Sequence, residues 1–200
     1  MTDSQYSIHQ VEDLLQFFRS ELSAAFEKLG LTTREETKTY LVHLLESFAR
    51  LDERSRTAIG FQRPAAFLLG DALQSAGDRR IEAYRLLGDA SLFSCGFFEE
   101  YLNRNRSVVA LDYYRSMGRN AYAHLESLMQ FKAPGGAFHI IYDELTDKFD
   151  TVVEAFRVLA GCDQSATCEQ LVDRWQKTGV LDARAWAKID AFPGSDDGEA

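Results

Sequence analysis

The chain has 200 residues, 46% hydrophobic and 26% charged, which is the composition of an ordinary globular protein long enough to bury its own core. Its 22 Lys and Arg against 31 Asp and Glu give a formal charge of −9, so it lacks the basic footprint by which proteins bind DNA, RNA or anionic lipid. No apolar run reaches the length of a membrane span, and neither nucleic acid nor membrane is an expected partner.

Met1-Thr2-Asp3-Ser4-Gln5 carries no basic stretch leading into an apolar one, which predicts a cytoplasmic protein. Cys95, Cys162 and Cys168 are an odd count without a CxxC pair, as suits a reducing compartment. Helical periodicity begins at once. From Ile8 to Leu29, Val11, Leu14, Leu15, Phe18, Leu22, Ala25 and Phe26 recur at three- and four-residue spacing, and Gly30 supplies the stop. Thr33-Arg34-Glu35-Glu36 has the form of a capping box and opens a second helix running to about Leu51. Residues 52–63 read as a polar connection, with Arg50, Arg54, Arg56 and Arg63 diluted by Asp52 and Glu53 into solvated surface. Pro64 suits the first turn of a short third helix ending near Ala76-Gly77.

Asp78 is read as the cap of a fourth helix reaching about Asn103, and Ser107 as the cap of a fifth reaching about Phe131. Ala133-Pro134-Gly135-Gly136-Ala137 breaks the pattern, and a sixth helix is predicted from Phe138 to Ala160. Shorter ones follow at 166–177, behind Ser165, and at 182–192. The Gly-, Asp- and Ser-rich residues 194–200 are expected to form a disordered acidic tail. The expected fold is all-α: one domain over 1–193, a bundle of seven or eight helices around an apolar central helix at about 79–103.

That fourth helix is the most informative stretch. Tyr84 to Tyr101 is apolar around most of its circumference, yet it holds Gly88-Asp89 in its interior. At about 100° per residue, Glu82, Arg85, Asp89, Gly96, Glu100 and Asn103 share one narrow stripe. Two readings follow. The stripe is either a self-neutralising strip facing water or the inward lining of a polar site. Glycine inside a helix costs about 1 kcal/mol against alanine, so Gly70, Gly88, Gly96 and Gly118 imply a compensating gain, either close helix packing or a flat ligand lying on the backbone.

Leu87-Gly88-Asp89-Ala90-Ser91 resembles the Leu-Gly-Asp-Leu-Ser segment in the distal helix of haem oxygenases, an all-helical family of about this length. The paired glycines that follow in that family are Leu92-Phe93 here. The resemblance implies haem against this helix and a proximal histidine near the chain start, for which His9 is best placed and His43 is the alternative. A di-iron or di-manganese bundle would instead need inward carboxylates and histidines, commonly in Glu-x-x-His pairs. The sequence has none, and offers only His43/Glu46, His9/Glu12 and His139/Asp143, with Asp71, Glu82, Asp89, Glu100 and Asp112 as further carboxylates.

No nucleophile elbow, phosphate loop or dinucleotide fingerprint is present, and Cys168 has no evident His or Asn partner. Aromatic residues cluster on the fourth to sixth helices, among them Phe97-Phe98, Tyr101, Tyr113-Tyr114, Tyr122, Phe131, Phe138 and Tyr142. They are core residues first, and some could line an apolar pocket with His124 as a polar member. The residues expected at a pocket or polar site are Glu82, Arg85, Gly88, Asp89, Gly96, Glu100, Tyr113 and His124. The expectation is a non-catalytic protein without cofactor, either an interaction or regulatory protein pairing as a homodimer or a binder of an apolar small molecule. The alternative is a haem-oxygenase-like or di-iron-type enzyme holding haem or iron at His9, His43, Glu46 or Asp89.

Overall fold

Chain periods of three and four residues are realised as packed helices throughout the part of the molecule that the computed structural model describes, residues 3–50, 65–97 and 108–160. These are α1 (Asp3–Leu29), α2 (Glu35–Arg50), α3 (Ala65–Gln74), α4 (Asp78–Phe97), α5 (Val108–Lys132), α6 (Ala137–Asp147) and α7 (Phe149–Ala160), with no strand among the described residues. The fold is an all-α bundle. None of these helices is long and apolar enough to cross a membrane. The helices expected at 166–177 and 182–192, the tail at 194–200, the 52–63 connection, Ser107, Cys162 and Cys168 lie outside the described residues.

The helix ends follow their local chemistry, with three departures from expectation. Gly30 takes φ +62°, and its amide and that of Leu31 bond to the carbonyls of Glu27 (3.1 Å) and Phe26 (2.9 Å). That pair of bonds is a Schellman stop, which only a residue tolerant of the left-handed region closes cheaply. At the start of α2 the capping box does not form, since the Thr33 hydroxyl is buried without a partner among the described residues. A carboxylate from another helix takes its place: Glu144 of α6 accepts the Arg34 amide at 3.0 Å. Lys148 donates to both Glu144 (2.7 Å) and the Thr32 carbonyl (2.6 Å). Asp78 is the first residue of α4 and not its cap. The Gly77 carbonyl accepts from Arg80, and the Asp78 carboxylate pairs with Lys132 at the far end of α5.

The predicted helix from Phe138 to Ala160 is two helices, α6 and α7, that meet at Lys148. Backbone bonds of 2.9 Å still run from Lys148 to Glu144 and from Val152 to Lys148 across the joint. The chain therefore bends without a glycine or proline to announce it. Lys148 is held by its contacts to Glu144 and to the Thr32 carbonyl in the α1–α2 connection, and Phe149 turns into the core with no exposed surface.

α4 lies in the middle. It packs most extensively on α5, then on α3 and α7, while α1 and α2 close the other side through α7 and α6. Every residue from Leu87 to Phe97 is buried. Such a helix can approach its neighbours only where side chains are missing. A Cβ on Gly88 would come within 2.8 Å of the Tyr122 ring, one on Gly96 within 2.5 Å of Phe156 Cβ, and one on Gly118 of α5 within 2.5 Å of the Phe149 ring and 2.8 Å of Ser91 Cβ. The glycines are sockets for aromatic rings.

Gly70, by contrast, has nothing within 4 Å of where its Cβ would stand. The two classes should separate in thermal melts. Gly96→Ala should lose about 1–3 kcal/mol, because Phe156 Cβ cannot swing away, whereas Gly70→Ala should gain up to about 1 kcal/mol from helix propensity alone. Equal effects at the two positions would contradict this packing.

Candidate functional site

Glu82, Arg85, Asp89 and Gly96 share a stripe on the helical wheel, but α4 changes character along its length and not around it. Glu82 and Arg85, in its first turns, are exposed; Asp89, one turn further, is 6% exposed, and Gly96 is buried. Among the described residues only Asp89 carries a carboxyl into the core. A buried carboxyl requires hydrogen-bond partners or a proton, because its desolvated charge is costly.

Two tyrosines meet it. Tyr40 of α2 donates to Asp89 Oδ1 at 2.6 Å and Tyr122 of α5 donates to the same oxygen at 2.8 Å. Tyr142 of α6 completes the ring of aromatics, stacked on Tyr122 and edge-on to Tyr40 with centroids 6.0 Å away in each case. Four helices thus converge on one carboxyl oxygen. Burial raises the Asp89 pKa to about 6, against the opposing pull of the two hydroxyls and of Arg85. Burial likewise holds Tyr40 and Tyr122 well above the ordinary tyrosine range, so both remain donors at any ordinary pH.

A carboxyl of that strength is suited to proton transfer near neutral pH. Asp89 is not among the residues that line either of two grooves formed by the described residues. One, of about 410 Å³, lies open to solvent between α3 and α4 and is lined by Asp71, Gln74, Ser75, Arg79, Glu82, Ala83 and Leu86. The other, of about 360 Å³ and half enclosed, lies between α3, α4 and α5. Leu69, Leu87, Met117, Ala121 and Ala123 make its apolar wall, and Asn120, His124 and Ser127 its polar edge. Tyr84 forms the floor with His124 stacked on it, ring centroids 4.9 Å apart, and the Arg80 guanidinium lies 5.7 Å from the Tyr84 ring centre.

The remaining expected site residues are dispersed. Tyr113 is exposed and meets Tyr114 edge-on. His43 is exposed and Glu46 half-buried on α2. His139 faces Glu126 at 3.3 Å and not Asp143. Glu100 and the side chains of His9 and Glu12 lie outside the described residues. Among the described residues no three His, Cys, Asp or Glu side chains converge. The helix face that the haem-oxygenase resemblance assigns to a haem is filled, because the Tyr122 ring covers Gly88, Phe156 covers Gly96, and Leu92 and Phe93 are themselves buried.

Sequence reasoning overlooked Tyr40. Its signal was a tyrosine on the apolar face of α2, in line with Thr37, Leu41, Leu44 and Phe48, where a hydroxyl needs a buried acceptor. No protein-family model, curated protein or solved structure matches the chain.

The acid makes stability depend on pH in a stated direction. The folded protein holds the Asp89 proton at a pKa of about 6 against 3.8 when unfolded. The stabilisation from that proton is complete below about pH 4 and is lost as pH rises through 6. The difference is worth about 3 kcal/mol. In urea melts between pH 4.5 and 7.5, Asp89→Asn should gain about 2 kcal/mol on the wild type as pH rises. Parallel curves for the two proteins would mean that Asp89 does not titrate in this range.

Proposed function

We propose that this is a non-catalytic helical protein that binds a small, largely apolar molecule in the half-enclosed groove between α3, α4 and α5. The observation that supports the reading is the division of that groove into an apolar wall and a polar edge. Leu69, Leu87, Met117 and Ala121 would exclude water from a ligand, and Asn120, His124 and Ser127, spaced along one face of α5, would orient it. One face of the His124 ring is already stacked on Tyr84. A planar or branched apolar body with one or two hydrogen-bonding groups suits such a groove, and about 360 Å³ sets its size.

The residues for chemistry are not at this place. Asp89, whose carboxyl pKa burial raises, sits apart from the groove with two tyrosine hydroxyls on its oxygen, an arrangement that favours a binding role over catalysis. The interaction side of the expectation has a separate basis. Phe131 and Phe138, 90% and 56% exposed, flank the Pro134-Gly135-Gly136 turn, and pairing of two copies there would double the 22.6 kDa mass in light scattering.

A fragment set of small aromatic and aliphatic compounds, followed by amide NMR, tests the groove. Binders should shift the amides of Asn120, Ala121, Ala123 and His124 together, and Ala123→Trp should abolish those shifts while leaving the melting curve cooperative. Millimolar fragments that leave these amides unmoved, or that act equally on Ala123→Trp, would remove the reading.

A further inference from the structure

The seating of α2 depends on the acid in the middle of α4. α2 rests on α1 and α6, and its contacts to α4 include the Tyr40 hydroxyl on Asp89 Oδ1 and the Phe48 ring on Phe93, centroids 4.2 Å apart. Tyr40 is only half-buried, so it is the outermost of the three tyrosines around the carboxyl. The other donor, Tyr122, is fully buried and fixed by the stack with Tyr142 and by its seat on Gly88. If water is to reach Asp89, the Tyr40 side is where it enters.

We propose that Asp89 is a proton-controlled catch between α2 and α4: with the carboxyl protonated α2 stays seated, and with it ionised α2 lifts from α4 much more readily. The physical ground is the unequal cost of the two forms. A neutral carboxyl is at home among tyrosine rings and still accepts both hydroxyl bonds through Oδ1. A carboxylate in the same place gains from those bonds and from Arg85, yet forgoes the hydration that an opened cover would restore.

The surroundings leave Asp89 as the group that changes charge. Tyr40 from α2, Tyr122 from α5 and Tyr142 from α6 face it, and all three are held above the usual tyrosine range. On α4 itself, Arg85 stands one turn before it, and Glu82 acts on Arg85. Among the described residues, α3 and α7 bring no charged group to bear on it. Closed, the acid titrates at about 6; hydrated, it returns toward 3.8. By linkage the opening equilibrium rises with pH, by about a hundredfold at most, and levels off above pH 7. The catch is independent of the groove, which lies on the α3 side of α4.

Native-state hydrogen exchange read residue by residue at pH 5 and pH 7.5 tests it, after correction for the intrinsic exchange rate. In the wild type the α2 amides from Lys38 to Leu45 should open up to about tenfold more often at pH 7.5 than at pH 5, while the central amides of α5 and α7 change less than threefold beyond global unfolding. Asp89→Asn should remove the pH dependence of α2. Tyr40→Phe, which keeps the ring and deletes the donor, should raise α2 opening at both pH values. A wild-type response shared equally by all helices, or one that persists in Asp89→Asn, would overturn the catch. Should Asp89→Asn fail to fold, the carbon-13 titration of the wild-type Asp89 carboxyl decides: a midpoint that coincides with the midpoint of the α2 exchange rise upholds the proposal, and one below about 4.5 or apart from that rise ends it.

Discussion

A single carboxyl oxygen, Asp89 Oδ1, is the point at which four helices of this bundle agree. It accepts from Tyr40 of α2 and Tyr122 of α5, and Tyr142 of α6 packs against both tyrosines. A buried hydrogen bond has a modest net value, about 1 kcal/mol, but an unmade one costs more. The arrangement therefore acts as a constraint more than as a source of stability. Any relative slip of α2, α4 and α5 would strand an acid or a hydroxyl in the core. Apolar contacts alone would allow several registers of similar energy, since Leu and Phe on neighbouring turns exchange easily.

The same register sets the glycines. With Asp89 fixed between two tyrosines, Gly88 faces the Tyr122 ring, and Gly118 lies beneath Phe149 and against Ser91. Missing side chains at these places let α4 sit at the centre without widening the bundle. Polar and steric matching thus share residues: Tyr122 is at once the donor to Asp89 and the ring that fills the Gly88 socket. Changing it would disturb both. For that reason Tyr122→Phe, which spares the ring, separates the two roles better than Tyr122→Ala.

Most of the fold was legible because period and stop signals are local. The seven described helices correspond to expected helical stretches, and Gly30 ends α1 as its position suggests. What was not legible depended on distant partners. Glu144 displaced the capping box at Thr33, lying 111 residues away in the chain, and the bend at Lys148 keeps helical hydrogen bonding and so leaves no mark on the periodicity. For the site, a wheel shows angle but discards depth. It placed Glu82, Arg85 and Asp89 in one stripe, whereas burial is decided by how far along α4 each residue lies.

Depth also separates the two chemical features of the molecule. The acid near pH 6 lies on the side of α4 that faces α2, Tyr122 and Tyr142, and the groove lies where α3, α4 and α5 leave a half-enclosed space around Tyr84 and His124. In a catalytic pocket, binding energy and a perturbed acid occupy one cavity, so that the proton moves to or from the bound molecule. Here α4 stands between them. Leu87 lines the groove and Asp89, two residues on, meets the tyrosines. A ligand in the groove and a proton on Asp89 can therefore act on one another only by moving α4 or α5.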